Sequence, residues 1–131
     1  MKKVIVFSLL LLFAFTTNAQ IEEEEDDTEV FEIVEQQPVY EGGDAARQLF
    51  IAKNIVYPDS AIKYQKQGTI IVEFIVEVDG HLSHVKTVKS FDDYCAAEAI
   101  RVVRLMRWIP GRQRGQAVRV KIRMPIRFRL T

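Results

Sequence analysis

The chain has 131 residues, a length that suggests a single domain. Its 18 basic residues balance its 18 acidic residues, so the formal net charge is zero. Its single cysteine, Cys95, excludes an intrachain disulfide and is expected to be a small buried side chain within an Ala-rich stretch.

The first nineteen residues carry a targeting pattern. Two lysines precede an apolar run from Val4 to Phe15, and small residues follow before Gln20. This order predicts a secretory signal peptide over residues 1–19, because the apolar run is shorter than the about 20 residues that span a bilayer. A short uncleaved anchor is the alternative. We therefore expect a periplasmic protein, or one held in the inner membrane and facing the periplasm, with no nucleic-acid partner.

An acidic stretch follows. Between Gln20 and Ala46 there are eleven acidic residues and no basic one. Blocks of like charge repel one another, so residues 20–37 are predicted to form a disordered acidic linker ahead of a domain at 38–131. A second interpretation is that this segment folds back on the basic C-terminal strand and competes with a partner.

Three helices are predicted in the domain. The first follows the turn "EGGD", with Asp44 as a plausible N-cap. Pro58 or Asp59 can open a second, short helix, which ends at Gly68. The third has an apolar stripe at helical spacing in "DDYCAAEAIRVVRLMRW", and Asp92 or Asp93 can cap its start.

A hairpin lies between the second and third helices. The segment "GTIIVEFIVEV" alternates an apolar set with a mixed set, which is typical of a strand with one buried face. Asp79-Gly80 then predicts a tight type I′ turn, and the return strand is expected at residues 82–88.

The last strand alternates apolar and basic residues from Val118 to Leu130. After Glu98 the chain has no acidic residue and ten basic ones. Because proline cannot donate a main-chain hydrogen bond, Pro125 predicts that this strand lies at a sheet edge. The element order favours an α+β fold, with a small sheet and helices packed on its apolar face.

Several segments together resemble the C-terminal domain of TonB-type energy transducers, in the form common among Bacteroidetes. The matching pieces are "EQQPVYEGG", "NIVYPDSA", "QGTIIVEFIVEVDGHLSHVKTVKS" and "AAEAIRVVRLMRWIPGRQRGQAVRVKIRMPIRFRL". The Tyr-Pro pair, the Asp-Gly hairpin and the Trp followed by Pro-Gly stand in the family's order. The resemblance implies a three-stranded antiparallel sheet with two or three helices packed on one face.

The resemblance also implies a function. Such domains bind the TonB box, an extended peptide of outer-membrane TonB-dependent transporters, which adds to the free edge of the last strand. On this view the partner-binding residues are Tyr57, Pro58, Arg119, Lys121, Arg123 and Arg127, with the basic side chains favouring acidic ones on the peptide. An ordinary solvated face is the alternative for the basic residues, and a packed turn is the alternative for the Tyr-Pro pair.

The N-terminus departs from the family pattern. Residues 4–19 contain no ionisable side chain that could engage a proton-driven motor. Residues 20–43 would reach about 80 Å fully extended and about 27 Å as a flexible coil. The anchored transducer, working with ExbB-like and ExbD-like partners, is therefore an alternative to a released binding domain. A homodimer formed through the edge strand is a third possibility.

No catalytic constellation appears in the sequence. His81 and His84 differ by an odd number of strand positions, so their side chains are expected on opposite faces and unable to share a metal. No carboxylate pair, nucleophile–base set or phosphate loop stands out. We therefore expect no enzyme activity, no catalytic residues, no metal and no cofactor.

Overall fold

A computed structural model of the protein describes residues 29–131. The predicted signal peptide and the first part of the predicted linker lie outside the described residues. The helices are α1 (Gly43–Asn54), α2 (Asp59–Lys63) and α3 (Asp93–Arg104). The strands are β1 (Val30–Phe31), β2 (Val39–Tyr40), β3 (Gly68–Val76), β4 (Leu82–Lys89), β5 (Trp108–Ile109), β6 (Gly111–Gln113) and β7 (Gln116–Phe128).

The main sheet has five strands within residues 29–131, rather than the three expected. Its order is β1-β7-β3-β4, and β6 pairs with the start of β7. The antiparallel β3–β7 register runs from Gly68↔Phe128 to Val76↔Val120, whereas β1 pairs parallel to β7. A separate antiparallel pair joins β2 to β5. The additional strands have only two or three residues each, too few to show a period of two in the sequence.

The helices and the apolar sheet face enclose one core, as an α+β fold requires. Side chains from β3 and β7 meet Ala61 of α2 and Cys95, Ala99 and Val103 of α3, and Phe50 of α1 packs against this cluster. Asp92 caps α3 by accepting the N–H of Cys95 at 2.9 Å, as predicted. The prediction of Asp44 as the N-cap of the first helix is wrong: α1 begins at Gly43 after an N-cap at Gly42 in the left-handed region, two residues earlier, and Asp44 lies in its first turn.

Both hairpins differ in detail from the sequence prediction. At the β3–β4 turn only Gly80 has positive φ, so the loop is not type I′; instead Gly80 donates its N–H to Glu77 and Asp79 accepts the N–H of His81. The segment "GRQRGQ", predicted as a loop, forms the β6–β7 hairpin. There Arg114 and Gly115 both have positive φ, as a type I′ turn requires.

Part of the predicted linker is ordered against the domain. Val30 and Phe31 pair with β7, and Gln36 exchanges two main-chain hydrogen bonds with Arg112, at 3.1 and 2.9 Å. Val34 is buried between these contacts. The expectation of disorder is therefore wrong for residues 29–37, because apolar residues interleave with the acids there and find sheet partners. No helix within residues 29–131 has the length and apolar character to cross a membrane.

Candidate functional site at the outer edge of β7

β7 has a long pairing with a neighbouring strand on one side and only a short pairing on the other. β3 pairs with residues 120–128 on the inner side. β6 pairs with residues 116–118 at the start of β7, and on the outer side β1 covers residues 119 and 120. No strand in the described part of the chain pairs with residues 121–128 on that side, which we call the open edge. The sheet-edge position predicted from Pro125 is confirmed.

The hydrogen-bond alternation identifies which main-chain groups face outward. Glu77, the residue after β3, donates its N–H to the carbonyl of His81 at 2.9 Å, on the β4 side. Because main-chain groups alternate along a strand, odd-numbered residues of β3 turn their N–H and C=O groups toward β4 and even-numbered residues turn theirs toward β7. Even-numbered residues of β3 pair with even-numbered residues of β7. The main-chain groups of Arg123, Pro125 and Arg127 therefore point away from the sheet. The missing N–H of Pro125 consequently costs the β3–β7 ladder no hydrogen bond.

The opposite edge of the sheet is protected against strand addition. β4 shows two register shifts against β3, and His84 takes a left-handed φ of 51°. Lys86 and Lys89 are exposed along the same strand. Bulges and exposed lysines commonly prevent another strand from pairing with a sheet edge. The described sheet therefore offers an extended, regular edge only on β7.

Most of the basic side chains of β7 have acidic partners within the domain. Arg119 Nε lies 2.8 Å from Glu77 Oε1, and Arg123 Nε lies 3.1 Å from Glu73 Oε1. Lys121 Nζ lies 3.6 Å from Glu32 Oε1. The basic stripe seen in the sequence is thus largely neutralised by carboxylates of the domain. Of the four basic residues expected to bind a partner, Arg127 has no ion pair within residues 29–131.

Arg119 lies outside the open edge, contrary to the expectation that it flanks a docked peptide. It is only 6% exposed, and its main chain is already paired with Val30. Burial acts to raise the pKa of Glu77, but hydrogen bonds from Arg119 and Ser83 outweigh it, and the pKa lies below its ordinary value. This arrangement gives Arg119 a structural role, since its guanidinium compensates a buried carboxylate.

Tyr57 packs against the C-terminal end of β7, and Pro58 follows it at the start of α2. The Tyr57 ring meets Phe128 edge to face with centroids 5.4 Å apart, and its hydroxyl donates to the carbonyl of Lys66. Burial raises the pKa of Tyr57. Pro58 precedes α2 in an extended conformation with φ of −61°. Tyr57 therefore supports the end of the open edge through packing, whereas Pro58 stands at the N-cap of α2.

Sequence reasoning missed a groove that borders the open edge. It runs between α1 and β7 and is lined by Arg47, Gln48, Ile51, Ala52, Pro125, Ile126 and Arg127. Arg47 and Ile51 are one helical turn apart, so they lie on the same side of α1. The helical period was readable from the sequence, but which side of α1 borders the edge depends on tertiary packing.

The described residues offer little other chemistry. No group of three or more potential metal ligands occurs within residues 29–131. Cys95 is fully buried, and burial raises the pKa of its thiol to about 12. A thiol with so high a pKa is not a nucleophile at neutral pH.

Fold and site together define a small α+β domain with one unprotected sheet edge. The family described as Gram-negative bacterial TonB protein C-terminal matches residues 53–130, and the chain belongs to this family. It is similar to a solution structure of the Helicobacter pylori TonB C-terminal domain, with 24% identity over 64% of this chain and 77% of that one, and a TM-score of 0.49. A shorter segment of the same domain gives 21% identity over 64% and 89%, with a TM-score of 0.46. No curated protein matches the chain.

Proposed function

We propose that this domain works in the periplasm and binds the TonB box of outer-membrane TonB-dependent transporters as an added strand along the open edge. The role supports transport across the outer membrane by recruiting the transporter to this protein. Membership of the TonB C-terminal family supports the proposal. The observation that carries it is the unpaired stretch of β7 from residue 121 to residue 128.

The open edge fits this task physically. An extended peptide gains affinity from main-chain hydrogen bonds to a free strand, and β7 offers outward N–H groups at Arg123 and Arg127. Eight residues at about 3.3 Å each provide roughly 26 Å of edge. The bulged β4 edge competes poorly for the same peptide, because its ladder is irregular.

A proline substitution on the outward register tests the proposal. Arg127→Pro removes an outward N–H, whereas Arg127→Ala removes the same side chain and keeps that N–H. Binding is measured by calorimetric titration with a capped, uncharged eight-residue peptide of alternating Val and Thr. We expect the proline variant to bind at least about tenfold more weakly than the alanine variant, because the peptide carbonyl loses its donor.

The comparison between the two variants isolates the main chain. Circular dichroism must show that both variants keep the fold, which the outward direction of this N–H leads us to expect. Equal affinities of the two variants would show that the peptide does not pair with the open edge. No binding to the wild-type domain by this peptide or by a TonB-box peptide would contradict the proposed function itself.

Two alternatives concern the whole protein. In one, residues 1–19 remain as an inner-membrane anchor and the protein transduces energy with ExbB-like and ExbD-like partners. In the other, the open edge pairs with a second copy of the chain. The intact mass of the native protein decides the first, since a start at or just after Gln20 rules out the anchor. Sedimentation with and without peptide decides the second.

A further inference from the structure

The groove between α1 and the open edge lies on the helix side of the sheet, where the apolar residues of β7 face the core. Ile126 is 1% exposed and packs in that core, so strand alternation places the side chains of Pro125 and Arg127 on the opposite face. These two residues therefore border the groove with their main-chain groups, which point outward. The groove thus begins at the outward main chain of β7 and has α1 as its other wall.

The wall formed by α1 consists of two pairs of residues on neighbouring turns. Arg47 and Ile51 are one turn apart, as are Gln48 and Ala52. Ile51 is half-buried and packs against the core, whereas Ala52 is exposed and its small side chain leaves space beside it. The groove has a volume of about 360 Å³. It can therefore admit an aliphatic side chain without a shift of α1.

A strand added to the open edge would direct alternate side chains into this groove. Residues opposite each other on paired strands have side chains on the same face, with Cβ atoms about 4.5–5.5 Å apart. The peptide residue opposite Ile126 would therefore lie on the helix side, and its two neighbours would lie on the face that carries Arg123 and Arg127. Resting on the proposed peptide-binding role, we infer that the groove selects an apolar side chain at the peptide position opposite Ile126.

The chemistry of the groove favours an apolar side chain. Ile51, Ala52 and Ile126 supply aliphatic surface that would leave water together with the side chain of the peptide. Arg47 already has a carboxylate partner in Asp44, at 3.6 Å. The outward main-chain groups of β7 would be paired by the peptide's own backbone. The side chain that enters the groove therefore gains most by removing apolar surface from water.

Matched peptides test this inference. The parent is the capped eight-residue peptide of alternating Val and Thr, in which the two residue types lie on opposite faces of the added strand. One derivative replaces every Val by Ala, and the other replaces every Thr by Ala. Because Val and Thr are both β-branched, the two derivatives lose similar strand propensity. We expect the derivative without Val to bind at least about tenfold more weakly than the parent and the derivative without Thr to stay within about threefold, because the Val side chains lie on the groove side and leave water.

Two variants that introduce the same side chain locate the preference. Ala52→Gln fills the groove with a longer polar side chain. Leu49→Gln places that side chain elsewhere on α1, at a residue that is 56% exposed and does not line the groove. Gln is a good helix former, so circular dichroism should show that both variants keep the fold. The preference for the parent over the derivative without Val should fall below about threefold in Ala52→Gln and stay unchanged in Leu49→Gln.

The possible outcomes separate the inference from the proposed function. Equal weakening of the two derivatives with the wild-type domain, or a Val preference that survives in Ala52→Gln, would overturn the inference while leaving strand pairing at the open edge intact. A preference lost equally in both variants would also overturn it, because the groove would then not be its source. Failure of the parent peptide to bind the wild type would instead count against the proposed function and the inference together.

Discussion

Gly80→Ala is expected to lower the free energy of unfolding by at least about 3 kcal/mol, which corresponds to about 15 °C in Tm for a domain of this size. A Cβ at residue 80 would lie 2.2 Å from the carbonyl oxygen of Trp108, and φ at this position is +90°. The neighbouring atom is main chain and cannot rotate away. The clash also separates Trp108 N–H from the carbonyl of Gly80, now 3.0 Å apart, and so loosens β5 from the β3–β4 hairpin.

Gly115→Ala is the matched control for this prediction. Gly115 has φ of +77°, but no heavy atom lies within 4 Å of the position that a Cβ would occupy there. The substitution should therefore lower the free energy of unfolding by only about 1 kcal/mol, which is the cost of placing alanine in the left-handed region. Urea denaturation followed by circular dichroism measures both variants. Equal losses in the two would show that the contact between Gly80 and Trp108 does not hold the hairpin.

Arg119→Met is expected to destabilise the domain by about 3 kcal/mol, because it leaves the Glu77 carboxylate buried without its cation. Arg119 and Glu77 are 6% and 9% exposed and are joined by hydrogen bonds of 2.8 and 3.2 Å. The double variant Arg119→Met with Glu77→Leu should recover most of the loss, since an apolar pair of similar volume needs no charge compensation. Urea denaturation of the single and double variants measures the coupling.

The same pair has a defined pH dependence. The pKa of Glu77 is depressed in the folded domain, so the stabilisation from this group is fully present above the ordinary glutamate pKa. It is lost as the pH falls through the lower, folded-state value. As the pH falls, the free energy of unfolding of the wild type should therefore decrease relative to that of the double variant. Strictly additive single-variant effects and no such shift would contradict a coupled pair.

The elements that the sequence predicted are those whose determinants are local. The alternation in β3, the position (though not the type) of the turn at Asp79-Gly80, the apolar stripe of α3 and its Asp92 cap each depend on residues a few positions apart. Pro125 located the sheet edge because a missing N–H is tolerable only where no partner strand needs it. The apolar face of β7 also indicated which side of the sheet meets the helices.

The features that the sequence did not predict depend on long-range pairing. β1 is two residues long and pairs with a strand nearly ninety positions away along the chain. The glutamates of β3 were visible on its mixed face, but their pairing with Arg119 and Arg123 requires the β3–β7 register, which a one-residue slip would change completely. For the same reason the sequence left the basic stripe open between partner contact and a solvated face, and did not predict that most of it pairs with carboxylates of the domain.

Amide hydrogen exchange along β7 tests most directly whether residues 121–128 bind an extended peptide. In the free domain the amides of Arg123 and Arg127 should exchange faster than those of Ile122, Met124 and Ile126, which face β3. Adding the uncharged Val/Thr peptide should slow exchange at Arg123 and Arg127 and leave β4 unchanged. Protection that appears on β4 instead, or unchanged exchange at both arginines with peptide bound, would contradict peptide binding at the open edge.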